Sequence, residues 1–466
     1  AIRAVRQITL LYSKVELPVT DRRKALAMKG FVDCEDEVKS GDKRRSATQV
    51  EDFRKMSRFL WNDVLATLDR EVFESASAFV PKHGPGSTAE RILGNQKYRQ
   101  AEWPRRLEQE FPALEYLLPS HRYWRCLSRV DFVEPGAERP VRVIAVPKTM
   151  KTPRIIAIEP VAMQYAQQGV LERFVEAIEG HHTLRHFVGF SDQEPNRYLA
   201  MRGSLDQELA TLDLSEASDR VSNQLVRELF ASVPNIARAV DACRSRKADV
   251  DGHGVIRLAK FASMGSAVCF PVEAMVFLTC IFLGIQKQLS RPLRRSDVLS
   301  LIGKVRVFGD DIIVPVRYVR SVVEELEAFG AKVNLNKSFW NGKFRESCGK
   351  EYFDGHDVSI VKVRQALPAR LKDAKEIIST VSTRNQLYEA GLWRAARWLD
   401  VRLEKLLKHY PVVLATSPVL GRVSFLGFAT EWTDPDLHSP MVKGWRVRAV
   451  LSKDDQPLDS ELALLK

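Results

Sequence analysis

Hydrophobic positions along the chain follow helical spacing, short β-branched runs and one long unbroken stretch, and these patterns predict the elements. The first 140 residues are charged and interrupted, with helical stretches such as Ala47 to Phe79. Turn chemistry follows at Pro81, Gly84, Pro85 and Gly86. Val141 to Ile158 reads as two strands joined by a basic loop containing Pro147 and Pro153, and helical spacing resumes from Val161 to Ile178, closed by Gly180. Glu208 to Leu214 reads as a strand and Arg220 to Ser232 as an amphipathic helix. Asp251, Gly252 and Gly254 read as a linker toward Ser263, Met264, Gly265 and the apolar run Ala267 to Leu283. Val305 to Phe308 and Ile312 to Val316 form a hairpin signature with Gly309, Asp310 and Asp311 at its tip. Val319, Val322, Val323, Leu326 and Phe329 then predict a helix stopped by Gly330, and Lys332 to Leu335 a short strand. Strand, helix, helix, hairpin, helix, strand is close to a split βαβ plan. The remainder, Leu367 to Lys466, reads as mostly helical with basic stretches.

Composition narrows the class. A chain of 466 residues is long for one core and predicts two or three subdomains. With 45% apolar residues, disordered and collagen-like classes are excluded. Lys+Arg at 71 against Asp+Glu at 59 leaves +12, which favours a polyanionic partner such as nucleic acid. Six scattered cysteines without a CxxC pair argue against a zinc ribbon or a disulfide framework and for a reducing compartment. Ile8 to Tyr12 is too short for a signal peptide, and Pro271 and Glu273 inside the longest apolar run favour a buried helix over a membrane span. The expectation is a soluble, intracellular protein.

Three groups of residues carry candidate chemistry. Asp310 and Asp311 lie between two apolar strands, and adjacent carboxylates need a shared cation or proton. Hard oxygen ligands suit Mg²⁺ or Mn²⁺, although Gly-Asp-Asp also makes a good plain turn. Asp213 ends an apolar strand and Asp219 follows six residues later, where it or Ser218 could simply cap a helix. Three carboxylates from two strands can hold two metals in the arrangement used for phosphoryl transfer. Arg142, Lys148, Lys151 and Arg154 are suited to a triphosphate or to nucleic-acid backbone, or form an idle solvated hairpin. Ser263, Met264 and Gly265 form a small turn where backbone N–H groups can meet a sugar or phosphate. No GxxxxGK[ST] occurs, which disfavours a P-loop ATPase or helicase. His181, His182 and His186 are spaced as metal ligands but sit after Gly180 and read as a surface loop. Trp393 and Trp398 read as packing in a helical segment, with base stacking as the alternative, and Lys43 to Arg45 as a solvated loop.

Five motifs in order resemble the RNA-directed RNA polymerases of single-stranded RNA bacteriophages, the leviviruses. They are VPKTMKTPRIIAIEP (Val146 to Pro160), TLDLSEASDRVS (Thr211 to Ser222), SMGSAVCFPVEAMVF (Ser263 to Phe277), VFGDDIIVP (Val307 to Pro315) and FRESCGKEYFDGHDV (Phe344 to Val358). The resemblance covers about Val141 to Arg364. Phe308 replaces the tyrosine usual before Gly-Asp-Asp, Cys269 and Pro271 replace a threonine and a glutamate, and the chain is shorter than typical members.

The resemblance implies an α+β right-hand polymerase with fingers, a palm built on a split βαβ antiparallel sheet, and a helical thumb. The corresponding division is 1–204 (N-terminal region and fingers), 205–262 (first palm strand and helix with a fingers insertion), 263–366 (palm core) and 367–466 (thumb and C-terminal region). It implies catalytic Asp213, Asp310 and Asp311, and two Mg²⁺ ions (or Mn²⁺) at Asp213, Leu214, Asp310 and Asp311. Arg142, Lys148, Lys151, Arg154, Asp219, Ser263 and Gly265 would bind the nucleotide, Lys148, Lys151 and Arg154 at the triphosphate and Asp219 and Ser263 at the ribose 2′-hydroxyl, and Lys337 is a candidate general acid. The implied reaction is template-directed addition of ribonucleoside triphosphates to an RNA 3′ end, replicating a viral genome in the cytoplasm of a bacterial host. RNA template and product are the implied partners, with host translation elongation factors Tu and Ts and a small-subunit ribosomal protein. A narnavirus- or mitovirus-type replicase and a non-catalytic basic RNA-binding scaffold are the alternatives. A reverse transcriptase fits less well, because that family usually has Ala or Met between its aromatic residue and paired acids.

Overall fold

The structure, a computed structural model, describes residues 1–75, 78–92, 94–148 and 153–448. These form two compact units. The larger takes Ala25–Ala145 and Ile155–Val358; the smaller takes Ala1–Lys24, the described residues within 146–154, and residues 359–448.

The larger unit begins with two long helices, α1 (Asp21–Arg44) and α2 (Ala47–Glu74). Ser46 separates them through a capping box with Gln49, and the helical stretch expected to reach Phe79 ends at Glu74. Lys43 and Arg44 finish α1 rather than forming a loop. Arg45 turns inward, its Nη1 donating to Asp42 Oδ1 (2.8 Å) and Gln224 Oε1 (3.0 Å). Strands β1 (Val141–Val146) and β2 (Arg154–Ile158) follow, then helices α3 (Val161–Gly180) and α4 (Glu194–Asp206) and strand β3 (Leu209–Asp213).

The expected helix from Arg220 to Ser232 is two helices, α5 (Ala217–Arg220) and α6 (Asn223–Leu229). Ser222 breaks it: its backbone is extended, and its Oγ accepts from Gln224 N and donates to Asp42 Oδ2, so a new helix starts there. After α7 (Pro234–Cys243), the expected linker at Asp251–Gly254 is a hairpin turn between β4 (Lys247–Val250) and β5 (Gly254–Arg257). The sheet order is β2-β1-β4-β5.

The apolar run forms α8 (Cys269–Leu289), buried on nearly all sides as a helix without a polar face must be. Among the described residues it alone is long and apolar enough to cross a membrane, and 89% of its most apolar window is buried inside the protein. It packs on α2, where Trp61 Nε1 donates to Thr279 Oγ1 (3.0 Å), and on α9 (Val319–Ala328). Between them lie β6 (Arg306–Phe308) and β7 (Asp311–Pro315).

The antiparallel sheet β3-β7-β6 is covered on both faces, which explains its near-continuous apolar sequence. Ala210, Leu212, Ile312 and Val314 join the main core with α8, whereas Leu209 and Ile313 pack on Leu199 of α4. The expected strand at Lys332 to Leu335 is absent. Residues 332–339 run along the free edge of β3 through single bridges, Leu214 to Val333 and Thr211 to Phe339, interrupted by a turn at 335–337. Strands β8 (Phe344–Ser347), β9 (Lys350–Phe353) and β10 (His356–Asp357) close the unit, with Arg345 fully buried and donating to Leu209 O (2.6 Å).

In the smaller unit, α10 (Ala374–Glu389) and α11 (Trp393–Leu407) pack together around Ile377, Val381, Leu403 and Leu407. The helix Ile2–Leu10 belongs to the same unit, with Arg3 donating to Ala390 O just after α10 and Gln7 exchanging hydrogen bonds with the backbone of Val361. Helix does not continue: beyond Leu407, residues 408–448 hold only turns and two-residue strands. Trp393 and Trp398 do not pack in the core. The buried stripe of α11 is Ala396, Leu399, Leu403 and Leu407, both tryptophans fall off it and are exposed, and the Arg402 guanidinium lies over the Trp398 ring.

Candidate active site

Three carboxylates meet where β3 ends and the β6–β7 hairpin turns. Phe308 pairs with Asp311, so Gly309 and Asp310 are the two turn residues. Gly309 has φ +60°, the conformation a tight hairpin asks of its first turn residue, and a Cβ there would strike the Phe270 ring. The register sets Asp213 directly opposite Asp311, and Asp310 is exposed on the turn beside them. Like charges directly opposite each other in a sheet are destabilising unless something compensates them.

Each strand acid is held by close neighbours, of which the sequence singles out only Lys337. Asp213 Oδ2 accepts from Asn334 Nδ2 (3.0 Å), its backbone N–H donates to Ser338 Oγ (3.1 Å), and Lys337 Nζ lies 3.3 Å from both carboxylate oxygens. The broken edge along β3 makes this possible, because the turn at 335–337 lets these side chains reach back to one residue. Asp311 Oδ1 accepts from Ser347 Oγ (3.2 Å) and Cys348 N (3.0 Å). Burial pushes the Asp311 carboxyl up to about 6, with the charge of Asp310 adding, against those two hydrogen bonds. Glu273 on α8 is also buried here. Its carboxyl is driven well above the ordinary range by burial, with the charges of Asp310 and Asp219 adding.

Asp219 lies in α5, inside the helix rather than capping it, and accepts on Oδ1 from Lys260 Nζ (3.1 Å). Ser263 is buried and its Oγ has no hydrogen-bond partner among the described residues. Gly265 has φ +130°, and its ideal Cβ would lie 2.0 Å from Ala157 O; the turn it forms presses against β2, with Ala157 N donating to Met264 O (2.9 Å). Leu214 is buried beside Asp213 and bridged to Val333.

The basic residues divide. Arg142 on β1 donates from Nη2 to Thr88 O (3.5 Å) within the larger unit. Lys148 and Arg154 belong to the smaller unit, and Lys151 lies outside the described residues. His181 does not read as a metal ligand. Its Nδ1 accepts from the backbone of Thr183 and Leu184 (3.2 Å each), and its Nε2 faces Asp63 Oδ2 at 3.3 Å, so both ring nitrogens are occupied in a turn. The His182 ring lies beside it, tilted by 33° at 4.3 Å between centroids, with Asp63 in reach of both, whereas His186 is not in the cluster.

Beneath the Ser263–Gly265 turn, Gln167 Oε1 accepts from Ser266 Oγ (3.1 Å) and Ala267 N (3.2 Å), and Gln167 also bonds the fully buried Glu159. Burial raises the Glu159 carboxyl to about 7, against hydrogen bonds from Ser245 and Gln167. A carboxyl raised on folding adds stability that is complete below its unfolded value of 4.5 and is lost as pH rises through 7. The expected cost at pH 8 is on the order of 3 kcal/mol. Glu159→Gln should therefore raise the melting temperature at pH 8 and flatten its decline between pH 5 and 7, measured by thermal melts in that range. A parallel decline in both proteins would show that Glu159 is not its source.

With this geometry in place, the comparisons with known proteins decide the family. The profile described as RNA replicase, beta-chain matches residues 16–383, well over half of the chain. The chain belongs to the RNA replicase beta-chain family. The phage-replicase resemblance carried by the five motifs stands, and the α+β architecture agrees with it. The RNA-directed RNA polymerase beta chain of Enterobacteria phage fr is 35% identical over 229 residues, 48% of this chain and 38% of that protein. The RNA-directed RNA polymerase subunit beta of Qbeta virus (strain MX1) is 34% identical over 257 residues, 54% of this chain and 40% of that protein. The subunit beta of Enterobacteria phage SP is 29% identical over 354 residues, 74% of this chain and 57% of that protein. The alignments thus span about two-fifths of the first two relatives' lengths. Solved structures are more distant: the RNA-dependent RNA polymerase of a human picorbirnavirus gives a TM-score of 0.42 at 12% identity, over 57% of this chain and 56% of that one.

Proposed function

We propose that this chain carries the catalytic core of an RNA phage polymerase that extends an RNA 3′ end with ribonucleoside triphosphates, copying a viral RNA template. One observation supports this most: Asp213 and Asp311 oppose each other in register with Asp310 at the adjoining turn, in a chain of the replicase family. An all-carboxylate donor set of this kind fits a hard divalent cation, and the Lys337 ammonium already sits against both oxygens of Asp213 in the position of a stand-in charge. Asp213, Leu214, Asp310 and Asp311 would hold two Mg²⁺ (or Mn²⁺) ions. Bound there, the ions supply the activation of the 3′-hydroxyl and the neutralisation of pyrophosphate used in in-line phosphoryl transfer.

The protein's own residues position and neutralise. Ser347 and the Cys348 N–H orient Asp311, while Asn334 and Ser338 orient Asp213. Asp219 and the unpartnered Ser263 hydroxyl meet the ribose 2′-hydroxyl, with the Gly265 turn giving close approach. Arg142 neutralises the triphosphate from the unit that carries the acids, and Lys337 protonates the departing pyrophosphate. Base pairing chooses the nucleotide, and the basic excess grips RNA phosphates, so binding weakens with salt. Fingers, palm and thumb follow the division at residues 204, 262 and 366. Host elongation factors Tu and Ts, a ribosomal protein and a site of action in the bacterial cytoplasm belong to the same reading.

The test is a primer-free reaction on a defined RNA template with each divalent metal in turn. Metal-dependent, template-complementary ribonucleotide incorporation is the expected result. RNA binding without incorporation under any metal would instead leave a non-catalytic scaffold.

A further inference from the structure

Lysine is among the residues least often fully buried, and Lys260 is fully buried. Its Nζ lies 3.1 Å from Asp219 Oδ1, 3.7 Å from Glu35 Oε2 and 3.6 Å from the centroid of the Phe31 ring. Glu35, on α1, is also fully buried. Its Oε1 accepts from the backbone N–H groups of Ala259 and Lys260, and its Oε2 has no hydrogen bond and faces the ammonium. The lysine is thus fixed on one side by a carboxylate locked to its own backbone and on another by an aromatic face. Of the three charged groups only Asp219 reaches solvent, with 17% of its side chain exposed.

Stability alone does not account for this arrangement. Buried ion pairs tend to be no better than apolar residues of similar volume, because desolvation offsets their attraction. What the arrangement does provide is a fixed direction for one surface-reaching carboxylate. The surrounding contacts act the same way: Cys34 Sγ donates to Asp219 O, Arg220 pairs with Glu37 and Glu216, and Ser222 donates to Asp42. Helix α1 therefore clamps residues 219–222 from outside the sheet that carries the acids.

We infer that Lys260 is a positioning residue for sugar selection. It holds Asp219 Oδ1, leaves the rest of the carboxylate to accept from the ribose 2′-hydroxyl, and neutralises the charge so that Asp219 reads a hydroxyl instead of recruiting a cation. Glu35 and Phe31 hold the lysine in turn. This rests on the proposal that Asp219 senses the ribose.

Single-nucleotide extension, comparing kcat/KM for a ribonucleoside triphosphate with that for its 2′-deoxy analogue, tests it. In Lys260→Met the ribo-to-deoxy ratio should fall about tenfold or more, chiefly through a raised ribonucleotide KM, as expected when a hydroxyl loses an aligned partner. The double variant Glu35→Gln/Lys260→Met removes both buried charges together and should show the same fall, which keeps the test valid if the single variant does not fold. A purely structural role would lower both substrates alike, and an unchanged ratio in a folded variant overturns the inference. Asp219→Ala separates the two levels. If it lowers the ratio while the Lys260 variants do not, the lysine's role is wrong; if it too leaves the ratio unchanged, the reading of Asp219 itself fails.

Discussion

Asp310→Ala should abolish template-directed incorporation, by about 10³-fold or more, while leaving the fold intact. The two halves of this expectation have separate causes. Asp310 is an exposed turn residue, and the turn is set by Gly309 and the Phe308–Asp311 pair, neither of which depends on the carboxylate. Its charge also adds to the burial that raises Asp311 and Glu273, so removing it relieves repulsion. The melting temperature without divalent metal should therefore be unchanged or slightly higher. The activity loss follows from removing one of three carboxylates that share a site, and a 10³-fold fall corresponds to about 4 kcal/mol of barrier. Asp311→Ala makes the contrast. It leaves the Cys348 N–H and Ser347 hydroxyl without their acceptor and should cost stability as well as activity, by about 1–3 kcal/mol. Extension assays at saturating Mg²⁺ with paired thermal melts check both, and wild-type extension by Asp310→Ala would end the polymerase reading.

The parts of this site that were legible in the sequence are local patterns. A strand-ending Asp213, a hairpin with Gly309, Asp310 and Asp311 at its tip, and an unbroken apolar run for α8 declare themselves locally, although Asp311 proves to be the first residue of β7 and only Gly309 and Asp310 form the turn. Residues that act across the fold did not declare themselves. Ser347, Asn334 and Ser338 are ordinary polar residues until the chain brings them against Asp311 and Asp213, although Ser347 does fall within the FRESCG motif. Lys260 and Glu35 are 225 positions apart and meet only through α1. Glu273 was visible only as an argument against a membrane helix. At several misread elements a local polar contact overrides periodicity. Ser222 caps a new helix inside an amphipathic run, and the turn at 335–337 breaks a would-be strand. Arg45 looks like part of a solvated basic run, yet its guanidinium is tied to Asp42 and Gln224.

Lys337→Leu should lower kcat by about 10²- to 10³-fold, with KM within a few-fold of wild type. Sequence position alone makes Lys337 an ordinary surface lysine, and its side chain is indeed 56% exposed. An exposed ion pair of this kind contributes little to stability, so the melting temperature should move by no more than about 1–2 °C. Its placement makes the difference. The ammonium sits 3.3 Å from both oxygens of Asp213, on a turn anchored by Lys337 N donating to Asn334 O (3.0 Å). The four-carbon stem lets it leave Asp213 for the oxygens of a departing pyrophosphate, where it can give up a proton. Lys337→Arg distinguishes proton transfer from charge alone. Arginine keeps the positive charge and can pair with Asp213 but does not release a proton in this range. If Lys337 is the general acid, the arginine variant should fall nearly as far as the leucine variant, and the solvent deuterium effect on kcat should shrink in both. Full recovery of kcat by arginine would make Lys337 a counter-charge to Asp213 and nothing more.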